Sequence, residues 1–170
     1  FTEVGGLHYR TDHDLKGHQK VSKQDLSVSI DGRKVVPHVL ELSFGVDRNI
    51  LALIDIAYHE EKERTVLRLP AAVAPYDCAV FPLVNKDGMP DIAEKIKNML
   101  IESGFAVFHD DSGSVGRRYR RMDEIGAPFC ITVDGESIKN QDATVRDRDS
   151  MKQVRVKIEE MPTVLKNMIS

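Results

Sequence analysis

The chain has 170 residues, of which 41% are hydrophobic and 30% charged, a composition typical of a globular protein. This length accommodates one domain, or one small domain with part of another, and no apolar run approaches the ~20 residues that a membrane span needs. With a formal net charge of -3 the whole molecule is not a generic polyanion binder, so any contact with nucleic acid must come from a local basic patch.

The first segment reads as antiparallel strands. No signal peptide is visible. The chain begins with Phe1, not Met, and opens directly into strand-like sequence, which predicts that further residues precede it in the parent protein. Residues 25–30 alternate apolar and polar side chains up to Asp31-Gly32, a strong hairpin signal. We therefore expect residues 35–44 to form the partner strand of this hairpin.

From Val46 the apolar period becomes helical, with Ile50, Ile54 and Ala57 on one stripe, which predicts a largely buried helix. Pro70 and Pro75 then bracket small residues and favour an extended connection. The sequence therefore predicts a domain boundary here, with domains at residues 1–70 and 71–170.

The second segment alternates strand and helix patterns in the order β-α-β-α-β-β-β-α. The strand patterns lie at residues 77–84, 105–110, 128–134, 143–150 and 151–158. This order predicts an α/β fold with a mixed sheet of about five strands and helices packed on it.

Cysteine and histidine usage gives little support for a metal site or a disulfide. Cys78 and Cys130 lie far apart in apolar runs, a pattern typical of buried thiols in a reducing cytosol. His13 and His18 have acidic neighbours but no regular ligand spacing and no nearby cysteine. We expect no metal site and a cytoplasmic location.

A first candidate site lies where a strand meets a helix, at Glu41, Ser43 and Arg48. Strand alternation puts Glu41 and Ser43 on one face, about 7 Å apart, and Arg48 follows near the strand end. A carboxylate, a hydroxyl and a guanidinium converging there suit a small zwitterion or a nucleotide phosphate. The alternative is a strand–helix junction with an incidental ion pair.

Two further candidates are basic. Arg117, Arg118 and Arg121 occupy neighbouring helical positions after a glycine turn, which suits phosphate binding or, alternatively, a solvated basic face. In a strand, Arg146 and Arg148 would share one face, opposite their acidic neighbours. Such a strand is either an edge protected by charge or a surface that reads base edges.

Three blocks of the sequence resemble one family. ELSFGVDR, residues 41–48, resembles motif 3 of class II aminoacyl-tRNA synthetases in its glycyl form, with Leu42 where the family usually has proline. EVGGLHYRTDHDL, residues 3–15, resembles the strand and loop that precede that motif. DDSGSVGRRYRRMDEIGAPFCITVD followed by TVRDRDSMKQVRV is similar to the anticodon-binding domain that the glycyl, histidyl, prolyl and threonyl enzymes share. The chain is thus identified with the C-terminal part of the archaeal and eukaryotic type of glycyl-tRNA synthetase.

This resemblance implies a fold and a set of roles. Residues 1–70 would be the end of a class II catalytic domain, with antiparallel strands and a helix, and 71–170 the anticodon-binding domain. Arg48 and Glu41 would contact ATP, and Ser43 would bind glycine. The residues that would contact tRNA-Gly are Arg146, Asp147, Arg148, Arg117, Arg118 and Arg121.

The resemblance also limits what this piece does. Motifs 1 and 2 have no counterpart in the chain, and the family needs no protein base or nucleophile, so we expect no catalytic residue here and no activity from the piece alone. ATP would be a substrate, with Mg²⁺ used by the full homodimeric enzyme and neither bound to this piece. We expect neither DNA nor a membrane as a partner. The alternative is a non-catalytic, synthetase-like RNA-binding module or accessory subunit.

Overall fold

A computed structural model describes residues 3–169 of the chain. The chain forms two compact units, residues 1–52 and 53–170. These units are defined by the contacts within each of them, which does not test the domain boundary predicted at residue 70. That boundary stays a prediction. Among residues 3–169, no helix has the length and apolar character needed to cross a bilayer.

The first unit is built from short antiparallel pairs of strands. Its elements are β1 (Gly5–Thr11), α1 (His13–Ser22), β2 (Val28–Ile30), β3 (Arg33–Val35), β4 (Val39–Phe44) and the beginning of α2 (Val46–Ala57). The predicted Asp31-Gly32 turn is present, with φ of 49° and 75°, and joins β2 to β3. The predicted partner strand was wrong in part, because β4 pairs with β1 rather than with β2.

The helix predicted after Val46 is present, but the prediction that it is largely buried was wrong. Ile50, Ile54 and Ile56 are exposed, and Ala57 is its buried residue. One face of the β1–β4 pair is equally open; its exposed apolar side chains are Leu7, Tyr9, Leu40, Leu42 and Phe44. An apolar stripe shows which face favours burial, but it does not supply the surface that would cover it.

The second unit contains the five-stranded mixed sheet that the sequence predicts. It begins with a hairpin of β5 (Tyr58–Glu60) and β6 (Thr65–Leu67), and the sheet strands are β7 (Cys78–Pro82), β8 (Val107–His109), β9 (Phe129–Val133), β10 (Asp142–Asp147) and β11 (Gln153–Lys157). The strand order is β11-β10-β9-β7-β8. β8, β7 and β9 run parallel, while β10 is antiparallel to both β9 and β11.

Four helices accompany this sheet: α3 (Met89–Glu102), α4 (Val115–Ile125), α5 (Gly135–Asn140) and α6 (Met161–Ile169). The sequence reading placed a turn where α5 forms. Asp134 and Ser137 make a capping box at its start, which explains how so short a helix is held. From β7 onward the order of the remaining strands and helices is as predicted, whereas the β5–β6 hairpin was not predicted.

The core of the second unit lies on both faces of the sheet. Alternate residues of β7 divide between the faces: Cys78 and Val80 pack with side chains of α3 and α6, while Ala79 and Phe81 pack with Met122 of α4. Burial on both faces explains why this strand reads as a continuous apolar run.

Both cysteines are free and buried, as the sequence predicts. They lie in the two separate clusters, on opposite faces of the sheet. Burial raises the pKa of the Cys78 thiol, and it raises that of Cys130 to about 12, so both thiols stay protonated at neutral pH.

Helix α4 ends at Gly126, whose φ of +87° is the left-handed conformation typical of a C-terminal cap. A Cβ at this position would lie 3.0 Å from the carbonyl oxygen of Leu67 in β6. Gly104, after α3, has a similar φ of +91°, but a Cβ there would meet open space. Alanine substitutions at the two glycines therefore distinguish the energetic cost of the left-handed backbone, which both share, from the cost of crowding, which only Gly126 has.

We expect Gly126→Ala to lower the free energy of unfolding by more than Gly104→Ala. The left-handed backbone costs an alanine about 1 kcal/mol at either position, and crowding against β6 adds about 1–3 kcal/mol at Gly126. Urea unfolding of the two variants checks this. Equal losses would show that the close packing of α4 on β6 has no energetic consequence.

Candidate functional site

Helix α4 separates its charged side chains into two environments. Met122 and Asp123 are buried, and Arg118 is only 2% exposed. Arg117 is exposed. The helical period thus places some charges inside the domain and others on its surface, a distinction that the run RRYRR does not show by itself.

The guanidinium of Arg118 fastens the loop before α4 to the end of β7. It donates hydrogen bonds to the carbonyl oxygens of Asp111 (2.8 Å) and Gly113 (2.9 Å), and also to that of Pro82. All these partners are backbone oxygens, so the side chain connects this loop to the strand end. This placement favours a structural role for Arg118 over the predicted contact with RNA, which stays a prediction.

Arg117, Arg120 and Arg121 form the exposed basic face of α4. The side chains of Arg120 and Arg121 are 41% and 39% exposed. Arg121 is oriented by Asp110, whose carboxylate accepts hydrogen bonds of 2.8 and 2.5 Å. The predicted Arg117 and Arg121 therefore lie at the surface, together with Arg120, which was not among the predicted tRNA contacts.

Asp123 lies at the centre of a buried cluster of arginines. Its carboxylate accepts two hydrogen bonds from Arg146, at 2.8 and 3.2 Å, and one from Arg64 at 3.2 Å. Arg120 approaches it to 3.6 Å. The three arginines come from β10, from the residue before β6 and from α4, so one fully buried carboxylate joins three elements.

Arg146 is held on a second side by an aromatic ring. Its guanidinium carbon lies 4.8 Å from the centroid of the Tyr119 ring, a cation–π contact. The Tyr119 hydroxyl in turn shares a hydrogen bond of 2.7 Å with the hydroxyl of Thr132. Arg146 is 5% exposed and keeps one side at the surface concavity described below.

Arg148 lies beyond the end of β10, in the loop to β11, and is also buried. It donates two hydrogen bonds to the carboxylate of Asp149, at 2.8 and 2.9 Å, and one of 2.8 Å to the carbonyl oxygen of Gly126. The Arg148 hydrogen bonds hold the pKa of Asp149 below its usual range. Arg146 and Arg148 therefore do not form a shared exposed face. The predicted contact of Arg148 with RNA stays a prediction.

Asp147 closes the same loop. Its carboxylate accepts hydrogen bonds from the backbone N–H of Ser150, at 2.7 Å, and from the Ser150 hydroxyl, at 2.5 Å. Its backbone N–H donates to the carbonyl oxygen of Lys152. The partners of Asp147 lie within its own turn, so its predicted role in RNA binding also stays a prediction.

Arg64 is a component of the site that sequence reasoning missed. It is buried, it pairs with Glu61 at 2.7 Å, and its guanidinium donates to the carbonyl oxygen of Arg148 at 2.7 Å. Glu61 also accepts from Arg68, and the two arginines lower its pKa to about 2. In the sequence Arg64 stands in a charged stretch that is typical of a solvated surface. The partners that bury it, Asp123 and the carbonyl oxygen of Arg148, lie 59 and 84 residues away.

A concavity of about 660 Å³ opens between α4 and the β10–β11 loop. We call it the α4 groove. It is lined by Ser114, Gly116, Arg117, Tyr119, Arg120, Arg121, Glu124, Arg146, Met151 and Gln153. Exposed guanidinium groups on one wall and a ring, a thioether and an amide elsewhere suit a ligand that is both anionic and aromatic.

The first candidate site of the sequence, at Glu41, Ser43 and Arg48, belongs to the first unit and not to the α4 groove. Glu41 and Ser43 lie on the same face of β4, as alternation predicts, opposite His8 and Gly6 of β1. Glu41 pairs with Arg10 at 2.5 Å, and this hydrogen bond is the main cause that lowers the pKa of Glu41.

Arg48 donates to the carbonyl oxygen of Glu3 at 2.9 Å. No group of three or more His, Cys, Asp or Glu side chains that could hold a metal ion occurs among residues 3–169. The ATP and glycine roles of Glu41, Ser43 and Arg48 stay predictions.

Residues 77–168 match the family described as anticodon binding domain. The chain is 49% identical over 138 residues to the glycine–tRNA ligase of Methanococcus maripaludis, covering 81% of this chain and 24% of that protein. It is 49% identical over 152 residues to that of Methanocaldococcus jannaschii, covering 89% and 26%. For Treponema denticola the identity is 43% over 182 residues, with coverages of 99% and 40%.

The chain therefore spans between about a quarter and two fifths of the length of these curated relatives. Among solved structures, prolyl-tRNA synthetase from Cryptosporidium parvum, complexed with halofuginone and AMPPNP, superposes with a TM-score of 0.68. The match covers 81% of this chain and 28% of that one, at 22% identity. This likeness shows a shared fold.

We expect Asp123→Ala to lower the free energy of unfolding by roughly 3–5 kcal/mol, because it leaves buried guanidinium groups without their anion. Asp123→Asn keeps the shape and part of the hydrogen bonding, so its loss should be smaller. Glu94→Ala is the matched control: it removes the half-exposed partner of Lys97 on the surface of α3 and should cost far less. Urea unfolding measures all three, and a mild effect of Asp123→Ala would contradict the central role of this carboxylate.

Proposed function

This chain belongs to the family of anticodon binding domains, and we propose that it binds the anticodon stem-loop of a tRNA in the α4 groove. The single observation that carries the proposal is the position of this groove. Every residue that lines it lies within the family segment 77–168, and three exposed arginines form one of its walls.

The two kinds of lining match the two parts of an RNA loop. The guanidinium groups of Arg117, Arg120 and Arg121 attract phosphates, and their fixed charge does not depend on pH. Tyr119, Met151 and the amide of Gln153 suit unstacked bases, which RNA-binding domains recognise by stacking and by hydrogen bonds to base edges. In this proposal the buried arginines support the surface from beneath and do not make the outermost contacts with RNA. They are Arg118, Arg146 and Arg148.

We further propose that the chain is the C-terminal part of a glycine–tRNA ligase, which supports charging of tRNA-Gly with glycine and ATP. The support is 43–49% identity to proteins of that name over most of this chain. The homodimer, the use of Mg²⁺, the cytoplasmic location and the boundary near residue 70 are part of the same proposal.

For the catalytic reaction, we propose that Arg48 contacts the ATP phosphates, that Ser43 binds glycine, and that Glu41 contributes to the ATP pocket. The shared face of Glu41 and Ser43 supports their grouping. In this arrangement Arg10 would hold the Glu41 carboxylate in place, since it pairs with it across β1 and β4.

The 170-residue chain should bind an anticodon stem-loop RNA bearing a glycine anticodon more tightly than the same stem-loop with a substituted anticodon. A mismatched base at a recognised position should weaken binding by roughly 1–3 kcal/mol, or about 5- to 150-fold. Fluorescence anisotropy with the two RNAs measures the ratio. Equal affinities would remove anticodon recognition from the proposal.

Arg117→Ala and Arg120→Ala should each weaken binding to both stem-loops by a similar factor, because a phosphate contact carries no sequence information. Each should also reduce the slope of log affinity against log salt by about 1. Lys139→Ala is the matched control, since it removes an exposed positive charge on α5, outside the groove. A salt slope that falls as much for Lys139→Ala as for Arg117→Ala would contradict the placement of the RNA backbone along α4.

A further inference from the structure

Met151 combines two unfavourable features at the wall of the α4 groove. Its φ is +57°, a left-handed backbone conformation that residues other than glycine rarely adopt. Its apolar side chain is 50% exposed. Strain of this kind persists where the surroundings enforce it, and it is concentrated at functional sites.

The turn that contains Met151 is enforced by its own hydrogen bonds. The Asp147 carboxylate accepts two hydrogen bonds from Ser150, and the backbone N–H of Asp147 donates to the carbonyl oxygen of Lys152 at 3.0 Å. The N–H of Lys152 in turn donates to the Ser150 hydroxyl at 3.3 Å. Met151 lies between two residues that are both tied to this network, so its backbone has little freedom to relax.

Buried arginines fix the same turn to the rest of the unit. The backbone N–H of Arg148 donates to the carbonyl oxygen of Pro128 at 2.9 Å, and its guanidinium donates to that of Gly126. From the opposite direction Arg64 donates to the carbonyl oxygen of Arg148. The loop is thereby anchored to the turn after α4 and to the β5–β6 hairpin, which makes it a fixed wall of the groove.

Resting on the proposed function, we propose that Met151 and Gln153 form the base-reading wall of the α4 groove. The thioether side chain of Met151 packs on the face of one unstacked base, for which its flexibility and polarisable sulfur are suited. The amide of Gln153 offers both a donor and an acceptor to the edge of a base. The arginines of α4, on the facing wall, hold the phosphates.

Met151→Gly separates this role from a structural one. Glycine adopts a positive φ without strain, so the thermal midpoint should stay unchanged or rise, whereas loss of the contact between the thioether and the base should weaken binding of the glycine stem-loop about 2- to 10-fold. Met151→Leu keeps an apolar side chain and should retain most of the affinity. Asp87→Gly is the matched control, because Asp87 has the same φ of +57° but lies outside the groove, and its affinity should not change.

Gln153→Ala should reduce the affinity ratio between the glycine stem-loop and a substituted one about tenfold, while Arg117→Ala leaves that ratio unchanged. If Met151→Gly binds like the unmutated chain while Arg117→Ala binds more weakly, the base-reading wall is overturned and RNA binding by the groove stands. If the unmutated chain binds neither stem-loop, the proposed function itself fails, and this assignment fails with it.

Discussion

The buried carboxylate of Asp123 is the constraint on which the surface of this domain depends. A fully buried anion is stable only when cations and hydrogen bonds surround it, and here Arg64, Arg120 and Arg146 do so from three elements. Two of these arginines connect Asp123 to more distant parts of the domain. Arg64 donates a hydrogen bond to the β10–β11 loop, and Arg146 lies over the ring of Tyr119.

This arrangement explains how an acidic chain presents a basic groove. Arginines that point inward neutralise or bridge buried oxygens, as Arg118 and Arg148 do, and contribute little to the surface field. Those that point outward from α4 define one wall of the groove, and the loop fastened by the buried ones defines the other. In the proposed function, the outward-pointing arginines contact RNA and the buried ones hold the surface in shape, while Arg120 does both because it also approaches Asp123 to 3.6 Å.

The sequence allowed most of the fold and part of the site to be predicted. Apolar periods and turn signals predicted the mixed five-stranded sheet, because these signals are local. They failed for α5, whose capping box reads as an ordinary turn, and for the burial of α2, whose apolar stripe lacks a covering surface. Within the basic segments, Arg117 and Arg121 were predicted at the surface and lie there, whereas Arg146 and Arg148 are buried.

The sequence alone determined the order of strands and helices from β7 onward apart from α5, the identity of the charged residues, and the resemblance to the family. The direction in which each arginine points was decided only by the tertiary structure. Asp123 lies 23 residues from Arg146 and 59 from Arg64, so no local pattern could pair them. The free energy of a charge depends on what surrounds it in space, and for these side chains that environment exists only once the sheet, α4 and the β5–β6 hairpin have packed together.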